Sequence, residues 1–271
     1  MNQATRVRWP IVVVASVVGL LLVAPTLVVI PLSFTDRRSF AFPNEGWSLR
    51  WYEKFFTDRG WLEALGTSLT LALLTGVVAT VVGTLAAYGL NRSRLPGSGA
   101  ARGLLMVPIA IPGIVAAVAI FGTYLGWGLS GTMLGLMLAH TVLAIPFVII
   151  PVNTAMQGLD PTLDRAAAVL GASPLGRFRQ IQLPLLAPAI ATGFVFAFVT
   201  SLDEVVVSYF LQSPTVRTLP VKMYSSVTVE TDPAIAVAAT LVLLFSTAVI
   251  LTPRLVSIVR TRRSSVPKEN K

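Results

Sequence analysis

The sequence predicts an all-α integral membrane protein with six spanning helices, and three observations carry that prediction. Of the 271 residues, 54% are hydrophobic and 12% are charged, about half the charge of an average soluble protein. Six apolar runs reach the roughly 20 residues that a hydrocarbon core about 30 Å thick requires of a helix. Basic residues gather in short segments beside those runs, not in one patch or arm. Despite the net charge of +9, that distribution reports orientation in a bilayer and argues against nucleic-acid binding.

Residues 1–10 form a polar N-terminal segment with Arg6 and Arg8. The apolar run over 11–34 is longer than the core of a signal peptide, about 7–15 residues, and has no small-x-small cleavage site, so it reads as a retained span. Residues 35–64 form an extracytoplasmic loop holding Trp47, Trp51, Tyr52, Phe55, Phe56 and Trp61. Those rings suit either a membrane–water interface or a small flap with an aromatic core. A core over 65–255 contains the other five runs, at about 65–90, 103–125, 133–153, 185–211 and 234–253. Pro108, Pro112, Pro146 and Pro188 are bend points that a span can tolerate, through neighbours that re-satisfy the freed backbone groups. Residues 256–271 are a basic tail.

An even number of spans puts both termini on one side. The N-terminus, second loop, segment 154–184 and the end of the chain from Arg254 hold 14 basic residues against 7 in the remaining loops. The excess of Lys and Arg on the inner side therefore places both termini and segment 154–184 in the cytoplasm.

The most sharply punctuated stretch is Asp160 to Pro184, DPTLDRAAAVLGASPLGRFRQIQLP. Asp160 before Pro161 starts a helix, because the carboxylate accepts from free N–H groups and proline has none to lose. Leu163, Ala166, Ala167 and Leu170 fall on one apolar stripe, and Gly171 supplies a left-handed end. Ser173-Pro174 starts a second short helix with Leu175, Phe178 and Ile181 on one side and Arg177 and Arg179 on the other. Leu183-Pro184 closes the stretch. Two short amphipathic helices joined at a glycine suit either a surface for a soluble partner or an ordinary solvated loop.

Several chemistries are excluded. With no cysteine there is no disulfide, thiol or cysteine-ligated metal chemistry. None of the lysines follows a glycine, so no phosphate-binding G-K-[ST] loop exists. The single histidine, His140, lies in the fourth run and reads as a buried, satisfied residue before a ligand or proton relay. Without metal-ligand spacing or a catalytic constellation, the chain looks like a transport subunit driven by another protein.

Ala166-Ala167, three residues, Gly171, nine residues, then Ile181, Leu183 and Pro184 resemble the cytoplasmic motif of binding-protein-dependent ABC importer permeases. That motif begins E-A-A; here Arg165 stands at the glutamate position, with Asp164 one residue earlier. GWSLRWYEKFF, AHTVLAIPFVI, SLDEVVVSYFL and RTLPVKMYSSV are similar to the second permease subunit of spermidine/putrescine transporters. The resemblance implies a type I ABC importer permease fold in a bacterial inner membrane. It also implies a sister permease, an extracytoplasmic binding protein, and two ATPase subunits that carry the ATP and Mg, with no cofactor in this chain. Asp160, Asp164, Arg165, Ala166, Ala167, Gly171, Ile181, Leu183 and Pro184 would form the coupling element on which the ATPases act.

Asp203 and Glu204 stand inside the fifth run after about 18 apolar residues, roughly 27 Å of helix. An aspartate at mid-span costs about 2.5–3.5 kcal/mol on insertion scales and faces a cavity or a partner. Two readings stand. The pair lines the outer part of the path and attracts a polycation, or it is an interface pair, hydrated or bonded to the sister permease. Other solutes of the same importer type (an amino acid, a sulfonate, an iron chelate) also fit. A self-contained secondary carrier fits less well, since it has only Asp203, Glu204 and His140 for ion coupling and no visible inverted repeat. A non-transporting membrane anchor leaves the Asp160–Pro184 stretch unexplained.

Overall fold

The computed structural model describes residues 9–38, 40, 42–92, 97–230 and 232–264. Most of the basic N-terminal segment, Arg94 of the second loop and the tail beyond 264 lie outside the described residues. In chain order the helices are α1 (Trp9–Leu32), α2 (Arg50–Thr57), α3 (Arg59–Arg92), α4 (Ser98–Ala110), α5 (Gly113–Trp127) and α6 (Met133–Gln157). They continue with α7 (Pro161–Val169), α8 (Pro174–Arg177), α9 (Leu183–Leu202), α10 (Val206–Leu211), α11 (Leu219–Ser225) and α12 (Ala234–Ser264). Among the described residues no strand forms; Thr35 and Trp47 make an isolated antiparallel bridge. The chain divides into two compact units, Met1–Leu62 with Met223–Phe245, and Glu63–Lys222 with Ser246–Lys271.

In the first unit, α1 is apolar all round and buries none of its residues. The short helix α2 is amphipathic. Trp51 and Phe55, four residues apart, face inward and are buried with Trp61; Phe55 lies 5.5 Å from the Trp61 ring. The Tyr52 hydroxyl shares a 2.8 Å hydrogen bond with Ser33. These rings form the core of a flap, whereas Trp47 and Phe56 are exposed. Lys54 Nζ lies 2.8 Å from Asp232 Oδ2, while Asp232 Oδ1 accepts from the Ala234 N–H at 3.1 Å and caps α12. Burial alone would raise the Asp232 pKa, but the Lys54 and Ala234 hydrogen bonds outweigh it and hold the carboxyl below its ordinary value.

The second unit is built on α6 and α9, which pack along each other. Small residues permit the approach. A Cβ on Gly83 of α3 would fall 2.8 Å from the Val148 Cβ, and one on Gly193 of α9 would fall 3.1 Å from the Val148 Cα. Ala79, Ala87, Ala144 and Ala197 are fully buried around the same valine. Lipid tails are as apolar as leucine, so close van der Waals contact between small residues is what holds spans together.

Two runs differ from the straight spans read in the sequence. The third, expected as one helix over about 103–125, is α4 and α5, bent by 105° at their junction. Ile111 is extended, with ψ 129°, and Pro112 sits at the cap of α5; the residue before a proline is pushed out of the helical region, so the break falls there. The fifth, expected over about 185–211, stops at Leu202 and restarts as α10 at Val206. Among the described residues five helices are long and apolar enough to cross a membrane, or six if the bent pair is one span.

Candidate functional site

Helix α7 begins as its sequence dictates. Asp160 Oδ1 accepts from the Thr162 N–H at 2.8 Å, and this bond lowers the Asp160 pKa. Gly171 ends the turn after α7 with φ +83°, a conformation that costs a β-carbon-bearing residue about 1–2 kcal/mol. Ser173 Oγ then accepts from the Gly176 N–H at 3.1 Å and caps α8. The second helix is not a separate amphipathic piece, however. It has four residues and runs through a π-helical turn, Phe178–Gln182, straight into α9.

Most of the expected apolar stripe of α7 lies open. Only Ala167 of α7 is buried, while Val169 is 88% and Leu170 87% exposed. Leu163 and Leu175 are exposed too. Phe178 does turn inward, 4.6 Å from the Tyr88 ring. The stretch thus presents an apolar tip, Val169 and Leu170, pointing outward.

What holds α7 is polar. Asp164 Oδ1 accepts from Arg92 Nη2 at 2.8 Å and from Gln182 Nε2 at 2.8 Å. Its Oδ2 accepts from Arg177 Nη1 at 2.9 Å. One carboxylate therefore joins the end of α3, the helix α8 and the π-turn ahead of α9. Arg177, read in the sequence as lying on the side opposite Leu175, Phe178 and Ile181, is committed inward to Asp164; Arg165, Ala166, Leu183 and Pro184 are exposed, and Ile181 is half-buried. A cavity of about 260 Å³ lies under α7, lined among others by Asn91, Met156, Leu159, Leu163, Ile181 and Gln182. Neither Arg92 nor Gln182 was legible as a partner of Asp164, because they lie 72 and 18 residues away.

Asp203 and Glu204 lie elsewhere, at the far end of α9, about 30 Å along a 20-residue helix. They occupy the interruption between α9 and α10. Glu204 Oε1 accepts from the Val207 N–H at 2.8 Å, so this carboxylate caps the restarted helix. Its Oε2 is buried with no hydrogen-bond partner among the described residues; Asp203 is exposed. His140 of α6 bridges the break: Nδ1 lies 2.8 Å from Ser201 Oγ and Nε2 2.9 Å from Ser208 Oγ. All three side chains are buried, and the expected satisfied histidine is what the structure contains. Among the described residues no group of three or more histidines and carboxylates could hold a metal ion.

Comparison with known proteins follows the same framework. The chain is 33% identical to the spermidine/putrescine transport system permease protein PotC of Escherichia coli K12 over 238 residues, 88% of this chain and 90% of that one. It is 33% identical to the putrescine transport system permease protein PotI of the same strain over 251 residues, 90% and 89% of the two chains. Among solved structures, a bacterial ABC transporter that imports the acidic polysaccharide alginate superposes with TM-score 0.72 at 17% identity, over 95% of this chain and 96% of that one. This last likeness is one of fold. Residues 79–264 match the family described as binding-protein-dependent transport system inner membrane component. With the match spanning α6, the Asp160–Pro184 stretch and the α9–α10 break, the chain belongs to that family of inner-membrane transport components.

Proposed function

We propose that this chain is the membrane-spanning permease subunit of an ATP-driven importer for a small solute, a polyamine such as spermidine or putrescine, delivered by an extracytoplasmic binding protein. The observation that carries the reading is the 33% identity over 88% of the chain to a permease named for those solutes. In this reading α4 and α5 count as one span, giving six, and the excess of basic residues sets both termini and the Asp160–Pro184 stretch in the cytoplasm. A second, different permease completes the pathway. Two ATPase subunits, which bind ATP and Mg, dock on the coupling element, where Val169 and Leu170 (88% and 87% exposed) enter a partner's cleft. Closure of the ATPases moves α7, and the spans alternate between inward- and outward-facing states.

At the other end of α9, Asp203 and Glu204 present carboxylate to the path. The unpartnered Glu204 Oε2 supplies the charge that an ammonium group would meet. The test is uptake of labelled putrescine and spermidine by the importer reconstituted with the ATPase, second permease and binding protein encoded beside it. Uptake of either is expected; uptake of neither overturns the solute. The double variant V169D/L170D should lose co-purification with the ATPase, and retention would overturn the docking site. D203N/E204Q keeps the acceptor that caps α10, so uptake should fall roughly tenfold, about 1.4 kcal/mol, with ATPase stimulation retained. Unchanged uptake removes the pair from the path.

A further inference from the structure

We propose that Asp164 is the transmission joint of the coupling element, the positioning residue through which movement of α7 reaches the spans. The inference rests on the permease reading above. In the family pattern the acid of this motif stands one residue later, where this chain has Arg165. The structure gives the two positions opposite directions. Arg165 is on the exposed side of α7, and the Asp164 carboxylate points back to three other elements.

Three features make Asp164 the joint. First, α7 has one buried residue, Ala167, and a methyl group gives little grip for transmitting a displacement. Second, a half-open pocket of about 260 Å³, lined by Leu163 of α7 and by Asn91, Met156 and Ile181, lies beside the Asp164 cluster, so apolar packing is incomplete there. Third, both oxygens of Asp164 are used, and each partner belongs to a different part of the second unit. Arg92 closes α3, Arg177 lies in α8, and Gln182 is the buried residue of the π-turn leading into α9. The long reach and forked donors of the arginines let the contacts persist while α7 shifts. A push on the apolar tip is thereby passed to two spans at once, one of which carries the Asp203–Glu204 break at its other end.

The removable charge gives the test. In the reconstituted importer, D164N preserves size but loses the ion pairs, and it leaves Val169 and Leu170 untouched. Co-purification of the ATPase should therefore be retained, while putrescine taken up per ATP hydrolysed falls roughly fivefold or more, the range of measured site-to-site couplings. D164E should restore part of that ratio. A wild-type ratio in D164N overturns the joint. Should D164N fail to accumulate in the membrane, R92Q decides, since it cuts the arm to α3 alone: a reduced ratio supports the joint and a wild-type ratio overturns it. Failure of the permease reading looks different, because the unmodified chain would then neither co-purify with the ATPase nor couple its hydrolysis to uptake.

Discussion

Helices α1 and α6 have nearly the same length, 24 and 25 residues, and both are long and apolar enough to cross a membrane. Their burial is opposite. None of the residues of α1 is buried, whereas α6 buries ten. Apolarity thus distinguishes a span from a loop but does not tell which spans pack against protein. The difference lies in small residues and buried polar groups. Gly135, Ala139 and Ala144 of α6 are buried with His140, and its neighbours supply Gly83 and Gly193 against Val148. Around Gly19 of α1, an added Cβ would meet nothing within 4 Å.

The largest effect expected from this contrast is steric. G83L would force a side chain into Val148, where even a Cβ comes within 2.8 Å, and overpacking of this kind costs about 1–3 kcal/mol. The matched substitution G19L should change the melting temperature of the detergent-solubilised chain little. Equal effects from the two would erase the distinction between α1 and α6.

A smaller loss is expected from the polar centre of α6. H140L removes both partners from the buried hydroxyls of Ser201 and Ser208, and an unsatisfied buried group costs about 1–3 kcal/mol. Serine hydroxyls can turn to other acceptors, so about 2 kcal/mol is expected for the pair. H140N, which keeps a donor and an acceptor, should recover part of it. A leucine variant as stable as the parent would mean that packing alone distinguishes α6.

The smallest effect sharpens the contrast from the side of the first unit, whose hold near the start of α12 is ionic. Asp232 is buried and Lys54 half-exposed, so D232N should cost only about 1 kcal/mol after allowing for solvent screening. The folded-state pKa of Asp232 lies below its ordinary value. Its contribution is therefore complete above the unfolded carboxylate pKa, about 3.9, and is lost as pH falls through the lower folded value. As pH falls from about 5 to below the unfolded carboxylate pKa, the melting temperature should drop further in the parent than in D232N; an equal drop would assign the loss to other groups.

Much of the fold was legible because its rules are local. The apolar runs, the Asp160 cap, the Ser173 cap and the left-handed Gly171 each depend on a few neighbouring residues, and each appears in the structure. Pro112 was legible as a bend point, but its 105° angle was not. The Asp160–Pro184 stretch was marked out by motif spacing and its apolar stripe by helical period, but not which residues of that stripe would be covered. Helical periodicity said that Leu163 and Leu170 share a stripe, without saying that the stripe lacks a surface within this chain to cover it. The inward turn of Arg177 and the recruitment of Arg92 and Gln182 to Asp164 also escaped, because ion-pair partners on different elements leave no spacing signal.

By itself, then, the sequence determined an all-helical chain built from apolar spans, and the place where its polar Asp160–Pro184 element starts, turns and ends. Water and lipid impose those features residue by residue, through hydrophobic length and the satisfaction of backbone groups. Tertiary structure alone decided that one span would be broken at Asp203–Val205 and clasped by His140, and that Asp164 would face inward while Arg165 faces out. Those outcomes depend on which side chains from distant segments arrive within hydrogen-bonding distance, about 3 Å, and only packing of the folded chain brings them there.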